Sequence, residues 1–186
     1  LRRSVDVYFY KIATKLDIDI LHGYAKQFGF GSKTGIALPR EIPGLIPTKE
    51  WKLKKTGEPW QKGETVSCVI GQSYVLATPL QLSLAYASIA NGGKLYQPYL
   101  IKEIFSSDGT IQEKFEPKIV STATVSQESM NHVKKGLYQV VNHRKGTAWW
   151  HRGRGIRMAG KSGTSQVRSM TKKELFSKCK DMPYKD

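Results

Sequence analysis

An α+β fold is what this sequence predicts. Three observations carry that expectation. Thr78-Pro79 opens a helix, with Gln81 completing a capping box. Ser107-Asp108-Gly109-Thr110 separates two short extended runs, which is a hairpin signal. Ser126 opens a further long helix. Helices grouped beside a few hairpin-connected strands point to helices packed on an antiparallel sheet.

Taken in order, Ser4 to Leu16 reads as a helix, with Val7, Ile12, Ala13 and Leu16 roughly on one face. Asp19 is expected to cap a second helix carrying Leu21, Tyr24, Ala25 and Phe28 and stopped at Gly29. Gly, Pro and Lys are frequent from Gly29 to Gly63, so a long loop is expected there, pinned to the core by Trp51 and Trp60. Thr65 to Ile70 reads as a short strand or extended segment. The helix from Thr78 carries Leu80, Leu84, Ala87, Ile89 and Ala90 and stops at Asn91-Gly92-Gly93. Tyr99 to Phe105 and Ile111 to Phe115 are the arms of the hairpin. The helix from Ser126 has an apolar stripe of Met130, Val133, Leu137, Val140 and Val141. Ile156 to Val167 reads as a strand, and the Lys-rich tail from Arg168 as a loop. There is no internal repeat.

The 186 residues amount to about one domain, and 39% of them are apolar, enough for a sizeable core. No run approaches the roughly 18 consecutive apolar residues of a membrane span, and no signal peptide opens the chain. Periodic sequence starts at Leu1, and the last residues carry no closing signal, so both ends are expected to be cuts through a larger protein. The net charge is +15. Between His132 and Lys161 there are eight Lys or Arg and no Asp or Glu, with Trp149 and Trp150 among them. Such a window suits nucleic acid, anionic lipid, a carboxylate-bearing substrate or an acidic partner. Cys68 and Cys179 stand far apart without CxxC spacing, which excludes a disulfide framework and a zinc site; Cys68 is expected to be a buried small hydrophobe. His22, His132, His143 and His151 show no metal spacing and are expected at the surface, with the His143 to His151 stretch at a groove mouth as the alternative.

Lys161-Ser162-Gly163-Thr164 is the tetrapeptide with the most chemistry. It supplies a cation, two hydroxyls that can bind a carboxylate, and a glycine that lets a substrate approach the backbone. A backbone N–H in such a segment can form half of an oxyanion hole. By itself it also reads as a surface strand with a glycine bulge. Ser4-Val5-Asp6 places a hydroxyl and a carboxylate two residues apart, which by itself reads as ordinary helix capping.

Together the two resemble the motif set of penicillin-binding proteins and serine β-lactamases: S-x-x-K, then S-x-N or S-x-D, then K-[ST]-G. The text between them is more specific. Ser4 to Tyr10, Phe28-Gly29-Phe30-Gly31 with Thr34-Gly35-Ile36, Ile70-Gly71-Gln72 with Ala77 to Gln81, Asn91-Gly92-Gly93 and Gly160 to Thr164 resemble class B penicillin-binding proteins in the same order. Trp51 and the Trp60, Gly63, Glu64, Thr65 spacing resemble the elongation-type subgroup. Three departures stand out. Asp6 occupies a position where many relatives have Asn, a variant compatible with the elongation-type subgroup. Ser73 occupies a position where the family usually has Gly, which is expected to stiffen or shift that turn. No S-x-x-K precedes Ser4; the matches at Ser169 to Lys172 and Ser177 to Lys180 are in the wrong order, so the nucleophile is expected ahead of Leu1 and none lies in this chain.

The resemblance implies residues 1–186 of a transpeptidase domain, lacking the upstream S-x-x-K segment and the final strands and helix, and not expected to fold stably alone. It implies a peptidoglycan D,D-transpeptidase of cell-wall elongation, acting by serine acyl transfer and acylated by penicillin, with this chain inactive in isolation. In that reading Ser4 relays a proton to the leaving D-alanine amine and Asp6 holds the lysine network. Lys161 supplies positive charge beside the peptide carboxylate and lowers neighbouring pKa values. Ser162 and Thr164 bind that carboxylate, Gly163 allows close approach, and the Thr164 N–H points at the oxyanion. No cofactor and no metal are implied. The implied partners are D-Ala-D-Ala stem peptides, β-lactams, and the glycosyltransferase and membrane proteins of the elongation machinery, with no nucleic acid. The implied location is the bacterial inner membrane, catalytic domain facing the periplasm or exterior. Two other readings stay open: a β-lactam sensor or β-lactamase relative of the same fold, and a basic module that binds nucleic acid or anionic surfaces.

Overall fold

The structure, a computed structural model, describes residues 1–153 and 155–165. The tail from Arg168, both late S-x-x-K matches and Cys179 lie outside the described residues. Among the described residues, six helices and four short strands form in the order α1 (Asp6–Ala13), α2 (Ile18–Gln27), α3 (Lys49–Thr56), α4 (Lys62–Cys68), α5 (Pro79–Ala90), β1 (Lys94–Tyr96), β2 (Glu103–Phe105), β3 (Ile111–Lys114), β4 (Ile119–Thr122) and α6 (Gln127–Asn142), with a short 3-10 turn at Trp149–His151. The mixed α+β class is as expected. The strands form two separate antiparallel pairs, β1 with β4 and β2 with β3, each with one register irregularity. The hairpin was legible; the β1–β4 pair was not, because its partners lie far apart in sequence.

Local chemistry explains most boundaries. Asp17, not Asp19, caps α2, its Oδ1 accepting from the Asp19 N–H, and the chain turns away at Gly29 with φ +90°. Asp19 instead accepts from the Lys49 N–H at 3.1 Å. The expected Gly29–Gly63 loop contains α3, which Thr48 caps by accepting from the Trp51 N–H and which Gly57 ends in the left-handed conformation. The expected strand at Thr65–Ile70 falls largely within α4: Gln61 and Glu64 form a capping box, and a short apolar run does not by itself separate a strand from a buried helix. The Thr78 capping box on α5 is as expected.

Burial departs from two predicted stripes. In α5 the buried residues are Gln81, Ala85 and Ser88, not the leucines, because small side chains let the helix lie close to β1 and Gln81 is consumed by polar bonds. In α1 only Ala13 is buried, while Val7 and Ile12 are exposed. In α6, Met130, Leu137, Val140 and Val141 are buried and Val133 is not. Cys68 is buried as expected, and burial pushes its thiol pKa up.

Two polar clusters fix the loops. Gln81, fully buried, donates from Nε2 to the Ser32 and Pro43 carbonyls (both 2.7 Å) and accepts at Oε1 from the Thr78 N–H (2.9 Å). The Lys52 Nζ, on a residue only 2% exposed, donates to Glu64 and to the Pro59 carbonyl, and Tyr74 donates its hydroxyl to Glu64. Trp51 and Trp60 both pack against the Tyr74 ring, and Trp60 Nε1 donates to Thr65, so the two tryptophans pin α3 and α4 to the 71–77 turn. Burial pushes the Glu64 carboxyl up, but Lys52, the Gln61 N–H and Tyr74 outweigh it and hold the pKa below the usual glutamate value. The Glu64 hydrogen bond holds the Lys52 ammonium above its usual pKa.

Candidate active site

The two motifs, at opposite ends of the described chain, meet. Lys161 Nζ donates to Ser4 Oγ at 2.8 Å, across 157 positions of sequence. The same ammonium donates to the Ser162 carbonyl at 2.6 Å, and Lys161 is half-buried. Ser4 does not cap α1. Its φ is +50°, a left-handed conformation uncommon outside glycine, and Val5 occupies the cap position without a side-chain bond. A turn from the Leu1 carbonyl to the Ser4 N–H (3.0 Å) sets that conformation and leaves the hydroxyl free to face Lys161. Strained backbone of this kind clusters at functional sites.

Asp6 is the first residue of α1 and is exposed; among the described residues no hydrogen bond or ion pair joins it to Ser4 or Lys161. Ser162, Gly163 and Thr164 are all exposed, and the space a side chain on Gly163 would fill is open. The expected strand from Ile156 joins no sheet among the described residues, since a strand needs a paired neighbour for its N–H and C=O groups. The segment hangs on α6 instead: the Gly160 N–H donates to the Leu137 carbonyl (3.2 Å) and Asn142 Nδ2 to the Met158 carbonyl (2.6 Å).

The loop between α6 and this segment touches both motifs. Thr147 Oγ1 and Ser162 Oγ lie 2.7 Å apart, the Thr147 N–H donates to the Arg2 carbonyl, and the Arg2 guanidinium meets the His143 ring at 3.1 Å. Neither Thr147 nor Arg2 carries a motif of its own; their only signal in the sequence is position, four residues after His143 and two residues before Ser4. Of the four histidines, His132 and His151 are exposed and His22 and His143 half-buried, with His22 Nδ1 against the Ile46 carbonyl. In the basic window the Arg152 guanidinium stacks over the Trp149 ring at 3.5 Å and Trp150 is 87% exposed. A hollow of about 330 Å³ between Lys26, Lys33, Thr34, Leu95 and Gln97 involves neither Ser4 nor Lys161. No described helix is long and apolar enough to cross a membrane.

A serine hydroxyl held by a lysine, next to an exposed Ser-Gly-Thr run, is the kind of arrangement that handles protons and carboxylates in acyl transfer. The chain belongs to the penicillin-binding protein transpeptidase domain family, whose model matches residues 1–178. It is 39% identical over 185 residues to the peptidoglycan D,D-transpeptidase MrdA of Haemophilus influenzae, covering 95% of this chain and 27% of that protein. It resembles penicillin-binding protein 2 of Helicobacter pylori, solved in complex with MreC, with TM-score 0.75, 38% identity, and 89% of this chain and 29% of that one covered. It also resembles Pseudomonas aeruginosa penicillin-binding protein 2, solved in complex with WCK 5153 (TM-score 0.69, 38% identity, 81% and 33% covered). The chain thus spans under a third of the curated relative, and about a third of each solved structure.

Proposed function

We propose that this chain is the part of a peptidoglycan D,D-transpeptidase that supplies the second and third motifs of a serine acyl-transfer site. The observation that carries the reading is the 2.8 Å bond between Lys161 Nζ and Ser4 Oγ. The nucleophilic serine and its lysine come from sequence outside these residues, as the relatives' greater length allows. Residues 1–186 then lack, of the transpeptidase domain, the S-x-x-K segment and the final strands and helix.

In the reaction, Ser4 passes a proton toward the departing D-alanine amine, and Lys161 holds the Ser4 hydroxyl in position and presents positive charge to the peptide carboxylate. Ser162 and Thr164 bind that carboxylate, Gly163 leaves room for the stem peptide, and the Thr164 N–H faces the developing oxyanion. Asp6, the first residue of α1, stands two residues from Ser4, and its part in the lysine network rests on the motif resemblance rather than on a bond in this structure. Substrates are D-Ala-D-Ala stem peptides, and β-lactams acylate the same site. The MrdA relatives and the MreC complex of Helicobacter pylori penicillin-binding protein 2 support our reading of an enzyme of an elongation machinery, with a glycosyltransferase and membrane proteins as partners, at the inner membrane facing the periplasm.

The test is covalent labelling of the full-length protein by a fluorescent penicillin. The wild type is expected to label, the 186-residue chain alone not to label, and Lys161→Met to label at least a hundredfold more slowly, about the loss expected on removing one electrostatic group from such a site. A full-length protein that takes no label refutes the reading.

A further inference from the structure

Resting on the proposed function, we propose that Thr147 is a positioning residue for substrate, acting through Ser162. The observation is a pair of hydroxyls, Thr147 Oγ1 and Ser162 Oγ, 2.7 Å apart and 15 positions apart in sequence. A hydroxyl carries one proton. If Ser162 gives its proton to Thr147, an arriving carboxylate meets only lone pairs. If Thr147 gives its proton to Ser162, the Ser162 proton turns outward and is polarised by the bond behind it. A carboxylate only accepts, so its arrival selects the second arrangement, with Thr147 as the donor that orients Ser162.

The placement of Thr147 is built rather than incidental. Its own N–H donates to the Arg2 carbonyl at 3.2 Å, two residues before Ser4. On one side the Gly146 N–H donates to the His143 carbonyl (2.7 Å); on the other the Ala148 N–H donates to the Val140 carbonyl (3.0 Å). A side chain at position 146 would fall well inside contact distance of the Gln139 and Val140 carbonyl oxygens, so only glycine lets this loop close on the end of α6. One threonine therefore bridges the segment leading into Ser4 and the segment that carries Lys161 and Ser162. Its neighbours fix its backbone, and its hydroxyl has a single described partner.

The test uses the full-length protein and two acyl donors, a penicillin with a free carboxylate and its methyl ester. Thr147→Val keeps the shape and removes the hydroxyl; Thr147→Ser keeps the hydroxyl. With the free acid, the second-order acylation constant of Thr147→Val is expected to fall about tenfold, equivalent to about 1.4 kcal/mol. Thr147→Ser is expected to restore most of it. With the ester, which offers no anion to orient, wild type and Thr147→Val are expected to react equally. The inference is overturned if Thr147→Val acylates at the wild-type rate, if Thr147→Ser is as slow as Thr147→Val, or if both donors slow alike, as they do for a variant that merely unfolds. A wild type that takes no label overturns the proposed function, and this inference with it.

Discussion

Replacing Gln81 with leucine isolates the bond set that holds the 32–43 loop against α5. Gln81 is fully buried, and its side chain makes three hydrogen bonds of 2.7, 2.7 and 2.9 Å, all to backbone groups. Leucine fills a similar volume, so cavity formation contributes little and the loss is polar. Each bond contributes on the order of 1 kcal/mol net. Ser32 and Pro43 are exposed residues whose carbonyls can turn to water, whereas Thr78 is half-buried and loses half of its capping box. Three bonds therefore give about 3 kcal/mol, or a fall in Tm of about 6 °C for a domain of about 250 residues. Thermal unfolding of the full-length protein measures it, and limited proteolysis is expected to find new cleavage at Lys33 or Arg40. A Tm within 2 °C of wild type, with no new cleavage, would refute the idea that these bonds hold the loop.

Three further outcomes are expected. In Gly44→Ala a Cβ would lie 2.8 Å from Gln81 Oε1 and closer still to the Leu76 carbonyl, at φ +65°, so the Leu45–Leu76 bridge must open; the expected loss is about 2–4 kcal/mol by chemical denaturation. Ser73 has φ +63°, which costs an L residue about 1–2 kcal/mol, so Ser73→Gly is expected to stabilise by about 0.5–1 kcal/mol after the entropy that glycine loses, read as a higher Tm. Glu64 has a folded pKa below its ordinary value of 4.5, so the stability it contributes is complete above that pH and disappears as pH falls through the depressed folded value. For Lys52, held above its ordinary 10.5, the contribution is complete below that pH and disappears as pH rises through the raised folded value. Glu64→Gln is therefore expected to lower Tm most between these limits, with a gap to wild type that narrows on acidification; a gap independent of pH contradicts the assignment.

What was legible in the sequence was local. Thr78, Gln81 and Ser126 announced helix starts because caps are short-range chemistry, and Asp108-Gly109 announced the hairpin because turn conformations are residue-specific. Thr48 and Gly57 carried the same kind of signal for α3, but the surrounding Lys, Gly and Pro read as loop. Long-range pairing was not legible, so β1 with β4, and Thr147 with Ser162, emerged only from the fold. Burial in α5 is not legible in the sequence because a buried glutamine satisfied by three backbone groups looks polar there. The order of motifs joins Ser4 and Lys161 in one site, and the fold places their side chains in contact, whereas Asp6 has no described bond to either.

The central claim is that residues 1–186 hold part of a serine acyl-transfer site whose nucleophile lies elsewhere in the protein. The most direct measurement is to acylate the full-length protein with penicillin and locate the modified residue by peptide mass spectrometry. The account predicts a single acylated serine outside residues 1–186, followed three positions later by lysine. Acylation of Ser4, Ser162, Ser169, Ser177 or any other residue of this chain would contradict it.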